Sequence, residues 1–197
     1  MPRNVLLTLA GSQTLKAGVG LEKELKDMDR LSLLICNVDR SKVPAGVIPA
    51  DHLPEQQMLS IVTWIPEESV LRIGLPRGSV CGVLRDDNKP IEPENFITNR
   101  DFIEILHYIN GNHLDPDLES YAAKTAERSI AIIDQRSPDV NAEIPSEDIL
   151  GVYEVENKRV VKYQANPKYR IVTERGACQL TPWLRKCLHS AVLSKQQ

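Results

Sequence analysis

Apolar and polar positions recur with different periods along this chain, and each change of period marks an element. Ile130-Ala131-Ile132-Ile133 is an unbroken apolar run rich in β-branched residues, which predicts a strand buried on both faces. It ends in Asp134-Gln135-Arg136-Ser137-Pro138-Asp139, a polar turn in which Pro138 pushes Ser137 out of helical geometry. Ile149 to Val155 then alternates, with Val152, Glu154 and Glu156 on one face and Tyr153 and Val155 on the other. Beyond Glu156-Asn157-Lys158 a second run extends from Arg159 to Tyr163, and Asn157 suits the left-handed conformation of a tight connection. Together these predict a β-hairpin.

Elsewhere the pattern predicts strands at Val5–Leu9, Leu31–Val38, Met58–Ile65, Leu71–Leu75, Ser79–Leu84 and Tyr169–Thr173. Leu21–Met28 carries a helical stripe. Asn99 caps a predicted helix from Arg100 to about Ile109, with Phe102, Ile105, Leu106 and Ile109 as its buried face and Gly111 as its stop. A second helix opens at Asp115-Pro116 and runs to about Glu127, and a last one opens at Thr181-Pro182. Lys195–Gln197 is expected to fray.

Strands and helices therefore come in uneven clusters rather than in strict alternation. That predicts the α+β class, with a mixed or antiparallel sheet holding Ile130–Ile133 and Leu150–Val155 and helices mainly on one of its faces. A chain of 197 residues suits a single domain over 1–197, with a point of subdivision near 95–115. Gly82–Ile91 aligns without gaps on Gly151–Val160. Shared turn chemistry is the preferred explanation, and a duplicated unit is the alternative.

Composition narrows the class. With 42% hydrophobic and 26% charged residues the chain is an ordinary globular one, and no apolar run is long enough to span a bilayer. Cys36, Cys81, Cys178 and Cys187 form no C-x-x-C pair and sit in apolar or amphipathic segments, which predicts reduced thiols in a cytoplasm rather than a Cys178–Cys187 disulfide. Met1–Ala10 faintly resembles a signal peptide, but its apolar stretch is short and a native element is expected. Gly18-Val19-Gly20 fails as a dinucleotide loop because Lys23 stands where the third glycine belongs. His107, His113 and Asp115 make no metal set, since a six-residue gap puts the two histidines on different helix faces. No cofactor and no metal are expected.

Two places remain for function. Asp134 and Arg136 end a strand that could hold them rigidly, the setting of many binding sites. The plainer reading has Asp134 capping its turn and Arg136 pairing with Asp139 in water. The second place follows from charge. Residues 1–150 hold 15 Lys/Arg and 24 Asp/Glu, net −9, whereas residues 151–197 hold 9 and 3, net +6. In the basic part Lys158, Arg159 and Arg170 interleave with Tyr153 and Tyr169, a pattern that could face RNA or another anion. The low aromatic content of 5% argues against a dedicated nucleic-acid binder.

The preferred reading is a non-enzymatic module binding a small molecule or a protein. Its alternatives are a small hydrolase with its site near Asp134 and Arg136, and anion or RNA binding by the basic hairpin. The charge split and an exposed strand edge further predict a homodimer with Gly151–Leu193 at or near its interface. No membrane contact is expected.

Overall fold

Strand pairing is antiparallel throughout the computed structural model, which describes residues 33–65, 70, 74–136 and 143–194. The strand expected at Val5–Leu9, the helix at Leu21–Met28, most of Leu71–Leu75, Pro138-Asp139 and the Lys195–Gln197 tail lie outside the described residues. The chain divides into two compact units, one of residues up to Ile103 together with those from His189, the other Glu104–Leu188. Its class is α+β.

The first unit is built on a four-stranded meander of β1 (Leu34–Asp39), β2 (Met58–Thr63), β3 (Val80–Leu84) and β4 (Phe96–Thr98), in that order. Period-two alternation sends Cys36 and Val38 inward, where they meet Leu59, Ile61, Val83 and Ile97 in one core. Pro76 leads into a single 3-10 turn, Arg77–Ser79, which feeds β3. β4, only three residues long, carried no pattern in the sequence long enough to mark it. Asn99 then caps α1 (Arg100–Asn112), its Oδ1 accepting the Asp101 N–H at 3.1 Å. Its Nδ2 donates to the carbonyls of Arg77, at 3.1 Å, and Val80, at 2.7 Å, so one side chain ties turn, strand and helix together. Gly111 does not stop α1, which continues to Asn112.

In the second unit Asp115 caps α2 (Pro116–Ala122), accepting the Asp117 N–H at 2.9 Å. The helix ends well before Glu127. β5 (Ser129–Ile133), β6 (Ile149–Glu156) and β7 (Arg159–Ala165) form a sheet in that order. Thus β5 is an edge strand with Ala131 exposed, not the doubly buried strand its composition suggested. The strand covered on both sides is β6, and it buries Tyr153 and Val155 as alternation predicts. Asn157 and Lys158 both have positive φ, 50° and 63°, the geometry of a two-residue hairpin turn.

Past β7 the chain forms a small hairpin, β8 (Val172–Thr173) and β9 (Gly176–Ala177), so that only the end of the expected Tyr169–Thr173 strand pairs. Thr181 then caps α3 (Pro182–Ser194) by accepting the Leu184 N–H at 3.2 Å. Among the described residues no helix is long and apolar enough to cross a membrane.

Gly151 has no room for a side chain, because a Cβ there would collide with the Tyr163 ring and the backbone carbonyl of Gln164. Gly151→Ala should therefore destabilise the protein by about 1–3 kcal/mol through forced displacement of a packed strand. Urea denaturation followed by circular dichroism checks this. Gly74→Ala, where a Cβ meets nothing within 4 Å but φ is +77°, should cost only the backbone strain.

Candidate functional site

Where β5 ends, inside Glu104–Leu188, the chain places a charge in the interior. Asp134 is buried, and all four hydrogen-bonding positions of its carboxylate are filled. Oδ1 accepts the N–H of Gln179 at 2.7 Å and of Arg136 at 3.0 Å; Oδ2 accepts the Tyr169 hydroxyl at 2.8 Å and lies 3.2 Å from Arg136 Nη2. Burial pushes this carboxyl above its ordinary value, and Arg136, the two amides and Tyr169 pull against that shift. Burial also holds the Tyr169 hydroxyl well above the usual tyrosine range, which keeps it a donor.

Arg136 is equally buried. Its Nε meets Asp148 Oδ1 at 3.2 Å, Nη1 donates to the carbonyls of Ile171 at 3.1 Å and Gly176 at 3.0 Å, and Nη2 reaches the Arg170 carbonyl besides Asp134. The Tyr169 ring covers one face of the guanidinium, 5.7 Å from its centroid. Asp148 turns its other oxygen to Arg175 Nε at 2.7 Å. Charges thus alternate from Asp134 to Arg136 to Asp148 to Arg175, and only Arg175 is well exposed to water. The hub pins the β8–β9 hairpin and the segment that follows it.

That segment, with β5, β6 and α2, encloses a cavity of about 180 Å³. Ile132, Ile133, Leu150, Leu180, Trp183 and Leu184 make most of its wall, and Asp134 and Tyr169 close it on the hub side. Its remaining polar lining comes from Asn110, Asp115, Tyr153, Gln179 and Thr181. Tyr153 donates to the Asn110 carbonyl at 2.7 Å, and burial pushes its hydroxyl up to about 12. Asp115 spends Oδ1 on its helix cap. Behind Tyr153 the Tyr163 ring lies 5.0 Å away, and the Tyr163 hydroxyl donates to the Leu150 carbonyl at 3.2 Å. With that proton committed, His107 Nδ1, 3.0 Å distant, is the donor to the hydroxyl oxygen, and burial lowers the His107 pKa.

The structure brings Asp134, Tyr153 and Tyr169 to this cavity, sets Arg136 behind Asp134 in the hub, and leaves Lys158, Arg159 and Arg170 exposed on the surface. Of the three tyrosines that interleave with the basic residues, Tyr153 and Tyr169 are buried and Tyr163 is half-buried. The sequence marks Asp115 only as a helix opener, Arg175 only as one of the basic C-terminal residues and Trp183 only as part of a helix start, and it gives no signal for Asp148. Asp148 is preceded by Pro145-Ser146-Glu147 and looks like any polar turn, and Trp183 looks like one more member of an apolar helix face.

Removing one partner of a buried ion pair strands the rest, so Arg136→Leu should cost about 3–5 kcal/mol, read as a shift of the urea midpoint. A second outcome concerns pH. His107 binds its proton less well folded than unfolded, so the unfolded chain takes up the extra proton and stability falls as pH drops through the ordinary value of 6.5. His107→Gln should flatten that part of the stability profile between neutral pH and pH 5, measured by denaturation at each pH.

No family model, curated protein or solved structure matches the chain, which leaves this geometry to indicate function.

Proposed function

We propose that Glu104–Leu188 is a non-enzymatic binding unit for a small molecule with an apolar body and a cationic head. The observation that supports it is the mainly apolar cavity with the Asp115 carboxylate at its lining. Its volume, about 180 Å³, is below the roughly 300–1,000 Å³ of sites for drug-sized ligands but of the order that admits one aromatic ring. A nucleotide is too large for it. Asp134 has no hydrogen-bonding capacity to spare and Arg136 does not line the cavity, so they serve as wall and brace, while Asp115 keeps Oδ2 for a ligand ammonium. None of the four cysteines is in a disulfide, which supports a reducing compartment such as the cytoplasm.

Self-association belongs to the same reading. Among the described residues β7 has a strand neighbour on one side only, and Val161 on it is 51% exposed, so a second copy could pair along this edge. Light scattering over a tenfold concentration range should then give twice the mass of one chain, and Val161→Lys should return it to that of one. A single-chain mass throughout would remove the dimer.

For the cavity, benzylamine and toluene serve as probes. Both should shift the Trp183 indole resonance saturably in heteronuclear NMR. Asp115→Asn keeps the helix cap and should weaken benzylamine by about tenfold while leaving toluene unchanged. Shifts that never saturate would end the binding reading, and equal effects on both probes would end the role of Asp115.

A further inference from the structure

We infer that residues 58–102 and 129–169 are two copies of one structural unit, and that the binding site belongs to the second copy alone. The correspondence is one of geometry, bond by bond. In the first, Val62 pairs with Gly82 and Thr63 with Val80, with a register shift between Val62 and Thr63. In the second, Ile132 pairs with Gly151 and Ile133 with Ile149, with the shift between Ile132 and Ile133. Pro76 and Pro145 each precede a three-residue 3-10 turn, at φ −58°, ψ 146° and φ −62°, ψ 144°. Their carbonyls accept from Ser79 at 2.8 Å and Asp148 at 3.0 Å. Gly82 lies against Phe96 and the Ile97 carbonyl, as Gly151 lies against Tyr163 and the Gln164 carbonyl.

The clamp asparagines complete the match. Asn99 Nδ2 donates to Arg77 and Val80, and Asn166 Nδ2 to Ser146 and Ile149, the residues at the same places in turn and strand. Each Oδ1 accepts the amide two residues on, from Asp101 at 3.1 Å and Lys168 at 3.0 Å. Each backbone N–H reaches the residue before the crowded glycine, Cys81 at 2.9 Å and Leu150 at 3.1 Å. The third residue on is a buried aromatic in both, Phe102 and Tyr169, bonded back to the asparagine carbonyl at 3.2 Å. Chance likeness of two hairpins accounts for a turn. It does not account for a bulge, a proline turn, a crowded glycine and a three-way asparagine clamp in the same order.

The copies differ where the cavity is. Its lining positions Ala131, Ile132, Ile133, Asp134, Leu150 and Tyr169 correspond to Ile61, Val62, Thr63, Trp64, Cys81 and Phe102, all of them buried. After Phe102 the first copy continues along α1, whereas after Tyr169 the second carries β8–β9 before α3. One copy packs this face shut; the other hollows it, and this half of the inference rests on the proposed binding function.

Two experiments on the full chain decide the matter. In the first, Asp86–Glu94 is replaced by the sequence of Val155–Val161, since Arg85 and Asn95 hold the register of Glu154 and Lys162. The chimera should fold with a higher melting temperature than one carrying a Gly/Ser segment of equal length. A chimera no more stable than that control overturns the duplication. In the second, Ala131→Ile installs the first copy's residue in the hollow, and benzylamine should bind about tenfold more weakly or worse, with circular dichroism unchanged. Undiminished binding overturns the placement of the site. A wild-type chain that binds no benzylamine defeats the binding function and the site with it, while the graft still decides the duplication.

Discussion

A guanidinium withdrawn from water needs its charge balanced nearby and acceptors for its N–H groups. Arg136 has a carboxylate oxygen 3.2 Å from Nε and another 3.2 Å from Nη2, and backbone carbonyls accept from Nη1 and Nη2. Desolvating such an ion costs several kcal/mol, so the net gain from the pair is small, although loss of either partner is severe. What the arrangement secures is geometry. Three of the partners are carbonyls of Arg170, Ile171 and Gly176, in a stretch with little regular pairing of its own. Arg136 gathers these carbonyls, while Asp134 and the Gln135 N–H hold Gln179, where the cavity wall begins. Arg175 closes the series at the surface, leaving Asp148 a cation on each oxygen.

Those elements whose causes are local were legible in the chain. The Val152 to Tyr163 hairpin follows from alternation and from Asn157, and the helix starts at Asn99, Asp115 and Thr181 follow from their caps. The end of a helix proved harder than its beginning. Gly111 stays helical, because the cost of one glycine is about 1 kcal/mol and the apolar face of α1 outweighs it. Ile130–Ile133 was assigned to the interior on composition, yet composition cannot distinguish an edge strand with one covered face from a central one. The hub was invisible for a related reason. Asp134 finds Tyr169 and Gln179 at 35 and 45 residues' distance, and Arg136 finds Gly176 at 40, separations at which no spacing rule operates.

The internal likeness shows the same limit from the other side. Gly82–Ile91 and Gly151–Val160 drew attention through their shared Asn-Lys, a turn signal, and shared turn chemistry seemed sufficient. In the folded chain the turns are where the two stretches diverge most. Asn157 and Lys158 make a two-residue reversal, whereas Asn88 and Lys89 sit in a longer loop closed by the Asn95 side chain. The shared devices are Pro76 and Pro145, each six residues before its glycine and so upstream of the aligned stretch, and Asn99 and Asn166, which follow their glycines by 17 and 15 residues. An ungapped alignment cannot register the asparagines.

A pair of copies also separates what a backbone requires from what was added to it. The first copy builds the bulged strand pair, the proline turn and the asparagine clamp with Thr63, Trp64, Ser79 and Phe102 at the end of the sheet. The second builds them with Ile133, Asp134, Asp148 and Tyr169. Since the uncharged set suffices for the fold, the ionised set is not there to hold the strands. A buried ion network gains little over well-packed apolar side chains of similar volume, so stability alone gives no reason for the exchange. The charges act on the β8–β9 hairpin, which the first copy does not have and which leads into Gln179 to Leu184, one wall of the hollow. Asp134, Arg136 and Asp148 are thus the means by which one strand unit, already stable without them, was made to carry an extra hairpin and keep a space open beneath it.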